Sequence, residues 1–163
     1  MSNTRKLRPI IKIILGMVAV FLLFLFVLGV REVFFKKNYY PIKFEEEVAA
    51  ASKQFGVDES IIYSVIYCES SFDEDAESNM GAVGLMQLLP ETLEWLCTRS
   101  GEEYNFDYLL NPEKNIYYGT MFLSILYERY GNWDCVHAAY HAGHSNVDKW
   151  LEEGKAVVDA DGN

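Results

Sequence analysis

Asp58-Glu59-Ser60-Ile61-Ile62-Tyr63-Ser64-Val65-Ile66-Tyr67-Cys68-Glu69-Ser70 is the stretch on which the reading of this chain turns. Ile61, Ile62, Val65 and Ile66 fall on one face at helical spacing, and Asp58 is a residue type that caps a helix amino terminus. Glu69 follows Ile66, Val65 and Ile62 by three, four and seven residues, so it shares their apolar face. A carboxyl group there sits in an apolar wall, in the last turn, where the helix dipole is negative. Both conditions favour the protonated form, which is what a general acid requires. A glutamate tucked under a loop as a helix-end partner fits the same spacing equally well.

Reading outward, almost every signal is helical. Phe44, Val48, Ala51 and Phe55 form a stripe that Gly56 ends. Residues 70–84 are rich in Ser, Asp, Asn and Gly and read as a loop. Gly84-Leu85-Met86-Gln87-Leu88-Leu89-Pro90 is a compact apolar turn with one amide inside it. Pro90 suits the first turn of a helix over 91–97, and 100–110 reads as mostly loop. Asn111 and Pro112 open a long helix to about Tyr130, closed by Gly131; shorter helices follow over 133–142 and 145–152. Residues 153–163 read as a polar, unfolded tail. The expectation is a single, mainly α-helical domain.

The amino-terminal part is different in kind. Ile10 to Val30 is apolar except for Lys12, and the uninterrupted run from Ile13 has 18 residues, close to the minimum for a membrane span. The run ends Leu28-Gly29-Val30-Arg31-Glu32, without a small-x-small cleavage site, so it reads as an uncleaved anchor rather than a signal peptide. Residues 1–37 are therefore a cytoplasmic tip with a transmembrane helix (span about 10–30), and 38–43, with Pro41, a linker. Four basic residues precede the span and three follow it, which places the amino terminus in the cytoplasm and the rest outside the cell membrane, facing the wall.

Charge follows the same division. Residues 1–37 carry a net +6, whereas 38–163 carry 7 basic and 23 acidic side chains. A domain so acidic is a poor candidate for binding nucleic acid, and none is expected as a partner, because phosphate contacts need clustered Lys and Arg. Cys68, Cys97 and Cys135 have no metal-type spacing; an odd count leaves at least one free thiol, and a Cys97–Cys135 pair is left open.

Together, Glu69-Ser70-Ser71-Phe72, Ser78, Gly81-Ala82-Val83-Gly84-Leu85-Met86-Gln87-Leu88-Leu89-Pro90, Asn111-Pro112-Glu113-Lys114-Asn115-Ile116 and Ala139-Tyr140-His141-Ala142-Gly143 resemble the catalytic domain of the soluble lytic transglycosylases, the SLT family. The likeness covers about 44–152 and extends to goose-type lysozyme. It implies a lysozyme-like helical fold that cleaves peptidoglycan glycan strands without a cofactor. Glu69 would be the catalytic acid and base. Ser78 would contact the muramic residue, Gln87 would line the groove, and Tyr140 would bring a phenol to the glutamate. Met86 would be groove wall or core. Ser70 and His141 would stand behind the reacting groups. On the residues alone, Ser78 also reads as an ordinary loop serine.

Two departures from the family pattern stand out. His141 replaces the usual asparagine after Tyr140, and the family's Glu-Thr-x-x-Tyr-Val helix does not occur before Asn163, so the domain reads as cut short. Three alternatives follow. A water-activating base among Asp73, Glu74, Asp75 and Glu77 would make a lysozyme. A wall-binding module would hold glycan without cutting it. His137, His141 and His144, at i, i+4 and i+7, are a conceivable metal set, although Gly143 should end the helix before His144.

Overall fold

The computed structural model describes the backbone of residues 4–39 and all of residues 11–30 and 43–155. The chain divides into two units, residues 1–42 and 43–163.

The first unit is one helix, α1 (Thr4–Tyr39). Its apolar window, Ile11–Val30, has 20 residues and a mean hydropathy of 3.1, and none of that window is buried. At about 1.5 Å per residue it is as long as a bilayer's hydrocarbon core is thick. The helix continues through Asn38 and Tyr39, into the predicted linker, while Pro41 lies outside the described residues.

The second unit is built of α2 (Glu45–Phe55), α3 (Glu59–Ser70), α4 (Pro90–Ser100), α5 (Asp107–Leu110), α6 (Pro112–Tyr130), α7 (Trp133–Ala142) and α8 (His144–Glu152). No strand forms among the described residues; the α3–α4 loop holds only isolated antiparallel bridges, Glu77 with Val83 and Val83 with Leu88. The caps are those the sequence offers. Asp58 Oδ1 accepts from Ser60 N at 2.8 Å, Asn111 Oδ1 from Lys114 N at 3.0 Å and Asn132 Oδ1 from Cys135 N at 2.9 Å. Pro90 and Pro112 occupy first turns, where a missing N–H costs nothing.

α6 is the hub, packing against α2, α4, α5 and α7. Ile116, Leu123 and Leu126 bury one of its faces with Ile62, Ile66, Val136 and Ala139. Tyr118 enters a second cluster with Leu93, Leu96, Cys97 and Leu109. Each such side chain contributes about 1.5–3 kcal/mol of burial, and the two clusters together fix α3, α4 and α7 around α6. The three cysteines are free thiols; Cys97 packs in the α4 cluster and Cys135 against the other, so the Cys97–Cys135 pair left open above does not form. The predicted tail from residue 156 onward lies outside the described residues.

Candidate active site

Glu69 stands in the last turn of α3, after Ile62, Val65 and Ile66 have turned fully into the core. Its own side chain is 20% exposed. The chain leaves the helix immediately, with Ser71 and Phe72 both at positive φ, and the end of the stripe stays partly open to solvent. The carboxylate is therefore at the rim of the apolar wall rather than inside it. Two pockets meet there. One, of about 220 Å³, is lined by Glu69, Ser78, Gln87, Leu89, Tyr140 and His141 among others. The other, of about 250 Å³ and mostly apolar, is lined by Val65, Cys68, Glu69, His137, Tyr140 and His141.

The Gly-Leu-Met-Gln turn reaches this site because one asparagine holds it. Asn115, in the first turn of α6 and 1% exposed, accepts from Met86 N at 2.8 Å through Oδ1. Its Nδ2 donates to Val83 O at 3.0 Å and Leu109 O at 2.8 Å. Gly84 has φ 81, and a Cβ there would overlap the Leu109 carbonyl and the Asn115 amide. Only glycine fits both demands.

Of the two places open to Met86, groove wall or core, it takes the core, so it does not contact a ligand in the groove. It is completely buried, with its side chain lying over Gly119 of α6, where any Cβ would strike the sulfur. What it offers the site is its carbonyl, which accepts from the Tyr140 hydroxyl at 2.8 Å. Tyr140 thereby joins α7 to the turn, packs on Phe122 at 5.3 Å between ring centres, and lines both pockets beside Glu69. Burial first, and the Glu69 carboxylate second, push its phenol well above the ordinary 10, so it stays neutral.

Gln87 adopts φ 48, a left-handed conformation that strains a non-glycine residue. Its Nε2 donates to Ala76 O and Gly84 O, both at 3.0 Å, which supplies the hydrogen-bond reason for an amide in this turn. Its carbonyl oxygen has no partner among the described residues. Ser78 Oγ accepts from Ala82 N at 3.0 Å and Met80 N at 3.3 Å, so both lone pairs are engaged and its proton remains to be donated. Ser70, expected behind Glu69, donates instead to Ile66 O at 3.1 Å along its own helix. His141 is brought to the carboxylate: Nδ1 lies 3.7 Å from Glu69 Oε1, with the imidazole 83% exposed.

The three histidines do not converge: His137 and His141 share the apolar pocket, and His144 lines neither pocket at Glu69. His137 lies beside the Trp133 ring, and His144 Nδ1 is 3.8 Å from Asp148. No group of three or more metal-type side chains converges among the described residues. Asp73, Glu74, Asp75 and Glu77 are exposed and line neither pocket at Glu69. Asn115, which holds the turn, and Phe122, which lines the pocket, also shape the site, although the sequence does not mark them as site residues. The signal for Asn115 was an amide next to Ile116 on a stripe destined for the core, where it must find partners.

A helical domain with one carboxylate at a rim between two pockets has the build of the lysozyme-like fold. The chain belongs to the transglycosylase SLT domain family, which matches residues 46–161. It is 40% identical over 97 residues to a membrane-bound lytic murein transglycosylase C of Glaesserella parasuis, covering 58% of this chain and 25% of that one. A transglycosylase of the phage PRD1 is 35% identical, covering 64% of this chain and 36% of that one. Among solved structures, the lytic transglycosylase Slt of Pseudomonas aeruginosa, in an inactive glutamate-to-glutamine variant, superposes with a TM-score of 0.68 at 31% identity, over 71% of this chain and 19% of that one. The 70 kDa soluble lytic transglycosylase of Escherichia coli gives a TM-score of 0.68 at 28% identity, over the same shares. The chain thus spans about a third or less of the length of these relatives.

Proposed function

We propose that this chain is a peptidoglycan lytic transglycosylase, anchored by α1 in the cytoplasmic membrane with its amino terminus inside, and that Glu69 is its general acid and base. The observation that carries this is that Glu69 is the single carboxylate lining either of the two pockets that meet at it. A glycosidase that activates water uses two carboxylates. One carboxylate suffices when the nucleophile is supplied by the sugar itself.

The steps balance on that one group. Glu69 gives its proton to the oxygen joining C1 of N-acetylmuramic acid to O4 of N-acetylglucosamine, and the C1–oxygen bond breaks. The Glu69 carboxylate then takes the proton from the muramic 6-hydroxyl as its oxygen bonds to C1. The product carries a 1,6-anhydro ring, and Glu69 is again protonated. Closure within the sugar is favoured by proximity. Ser78 is left with a proton to donate to a sugar acceptor, and Gln87 with an oxygen to accept from a hydroxyl. Tyr140, held neutral, fixes the turn without competing as a base.

The test is digestion of purified peptidoglycan by the full chain and by Glu69→Gln, with mass spectrometry of the released sugars. Anhydro-muropeptides are expected, with a rate lower by roughly a hundred- to ten-thousand-fold in Glu69→Gln. Products with a reducing muramic end would make the chain a hydrolase. Binding without release would make it a wall-binding module. Added protease should reach the second unit from outside intact spheroplasts; protection would reverse the proposed orientation.

A further inference from the structure

A cleft larger than either pocket at Glu69 lies beside the site. It has a volume of about 560 Å³, lies between α4 and α6, and is also lined by His144 of α8. Thr92 and Phe122 line both this cleft and the pocket at Glu69, so the two adjoin.

Its chemistry is not that of a bare sugar groove. Residues 38–163 carry 7 basic and 23 acidic side chains, yet both arginines of this part, Arg99 and Arg129, line this one cleft. Arg129 is committed: Nη2 lies 2.6 Å from Asp148 Oδ2 and Nε 3.2 Å from Oδ1. Arg99 has no carboxylate partner among the described residues. Its guanidinium lies 5.7 Å over the Trp95 ring, itself 45% exposed on the cleft floor. A guanidinium stacked on an indole is oriented and keeps its N–H fork for a carboxylate. Glu91 on α4 and Glu128 on α6 line the same cleft. An occupant matching them carries carboxylate, apolar surface, and N–H or ammonium groups together. The peptide that hangs from the lactyl group of muramic acid has that composition; the glycan backbone does not.

We propose that the α4–α6 cleft binds this stem peptide, with Arg99 as its carboxylate contact and Trp95 as its apolar floor. The inference rests on peptidoglycan being the substrate and makes Arg99 a specificity-determining residue.

The test uses the full chain in detergent micelles and two probes, a N-acetylglucosaminyl-N-acetylmuramyl tetrapeptide and the same disaccharide with its peptide removed by an amidase. The Trp95 indole N–H resonance, assigned by its loss in Trp95→Phe, reports on the cleft. The peptide-bearing probe should move it and the bare disaccharide should not. Arg99→Gln should weaken binding of the peptide-bearing probe about tenfold, with partial recovery in Arg99→Lys. Equal response to both probes, or an Arg99→Gln variant that binds as well as the parent, overturns the proposal. Digestion by the same preparation keeps the two readings apart. Anhydro-muropeptide release with a silent indole sinks only the cleft assignment; peptide-dependent indole shifts without release sink the catalytic reading and leave the cleft assignment standing.

Discussion

Asn115 spends its whole amide on backbone: one N–H accepted and two carbonyls satisfied, all inside the core. Replacing it by leucine keeps the shape but leaves Met86 N, Val83 O and Leu109 O without partners, at about 1–3 kcal/mol for each buried group. Asn115→Leu should therefore lower unfolding free energy by about 3–5 kcal/mol in urea titration. A loss under about 1 kcal/mol would mean that the turn is held by packing alone. Gly84→Ala should be comparably damaging, because the turn would have to leave α6 to admit a methyl group. The resemblance to the SLT family pointed to Glu69, Ser78, Gln87 and Tyr140, and the fold brings those four to one pocket. It did not separate the two roles left open for Met86. A loop has no periodicity to say which way a side chain points, and only the close approach to Gly119 sends this one inward.

Helices were legible where a cap or a stop is written in side chains. α6 and α7 begin and end where Asn111, Gly131, Asn132 and Gly143 place them. α4 runs three residues past its predicted end because nothing between Cys97 and Gly101 breaks it. α5 has four residues and no side-chain cap, too little to leave a pattern. Within α6, Thr120 is fully buried and its hydroxyl has no partner among the described residues. Thr120→Val keeps the volume and removes an unpaired polar group, so it should raise unfolding free energy by about 1 kcal/mol; a clear loss would reveal a hydrogen bond formed in solution. α6 and α8 are clamped by Arg129, Asp148 and Tyr130, whose hydroxyl donates to Asp148 Oδ1 at 2.9 Å. The Tyr130 hydrogen bond first, and Arg129 next, hold the Asp148 carboxyl below its ordinary 3.8. A depressed acid stabilises above its unfolded value, and the contribution disappears as pH falls through the folded one. Amide exchange in α8 should accelerate as pH drops below about 3.8, beyond the change in intrinsic rate. Asp148→Asn should remove that acid-induced loosening while weakening the clamp at every pH.

At the scale of the whole chain, the two units answer to different solvents. The window Ile11–Val30 exposes side chains such as Phe21, Leu22, Leu23 and Phe24 and buries none of its length. The second unit closes two apolar clusters with its own residues, from Val48 to Val147. A net charge of −16 over 38–163 opposes self-association of that unit in water. Burial on this scale stabilises the second unit through its own residues. Residues 43–163 expressed alone should therefore be soluble without detergent, retain the helical circular dichroism of α2–α8, and melt within a few degrees of the same unit in the full chain. They should also cut isolated peptidoglycan at the full chain's rate if α1 serves only as an anchor. In cells, the shortened chain should lose its hold on the membrane fraction. If it instead melts far below the full chain, or precipitates without detergent, then α1 completes the folded domain and is not simply a tether.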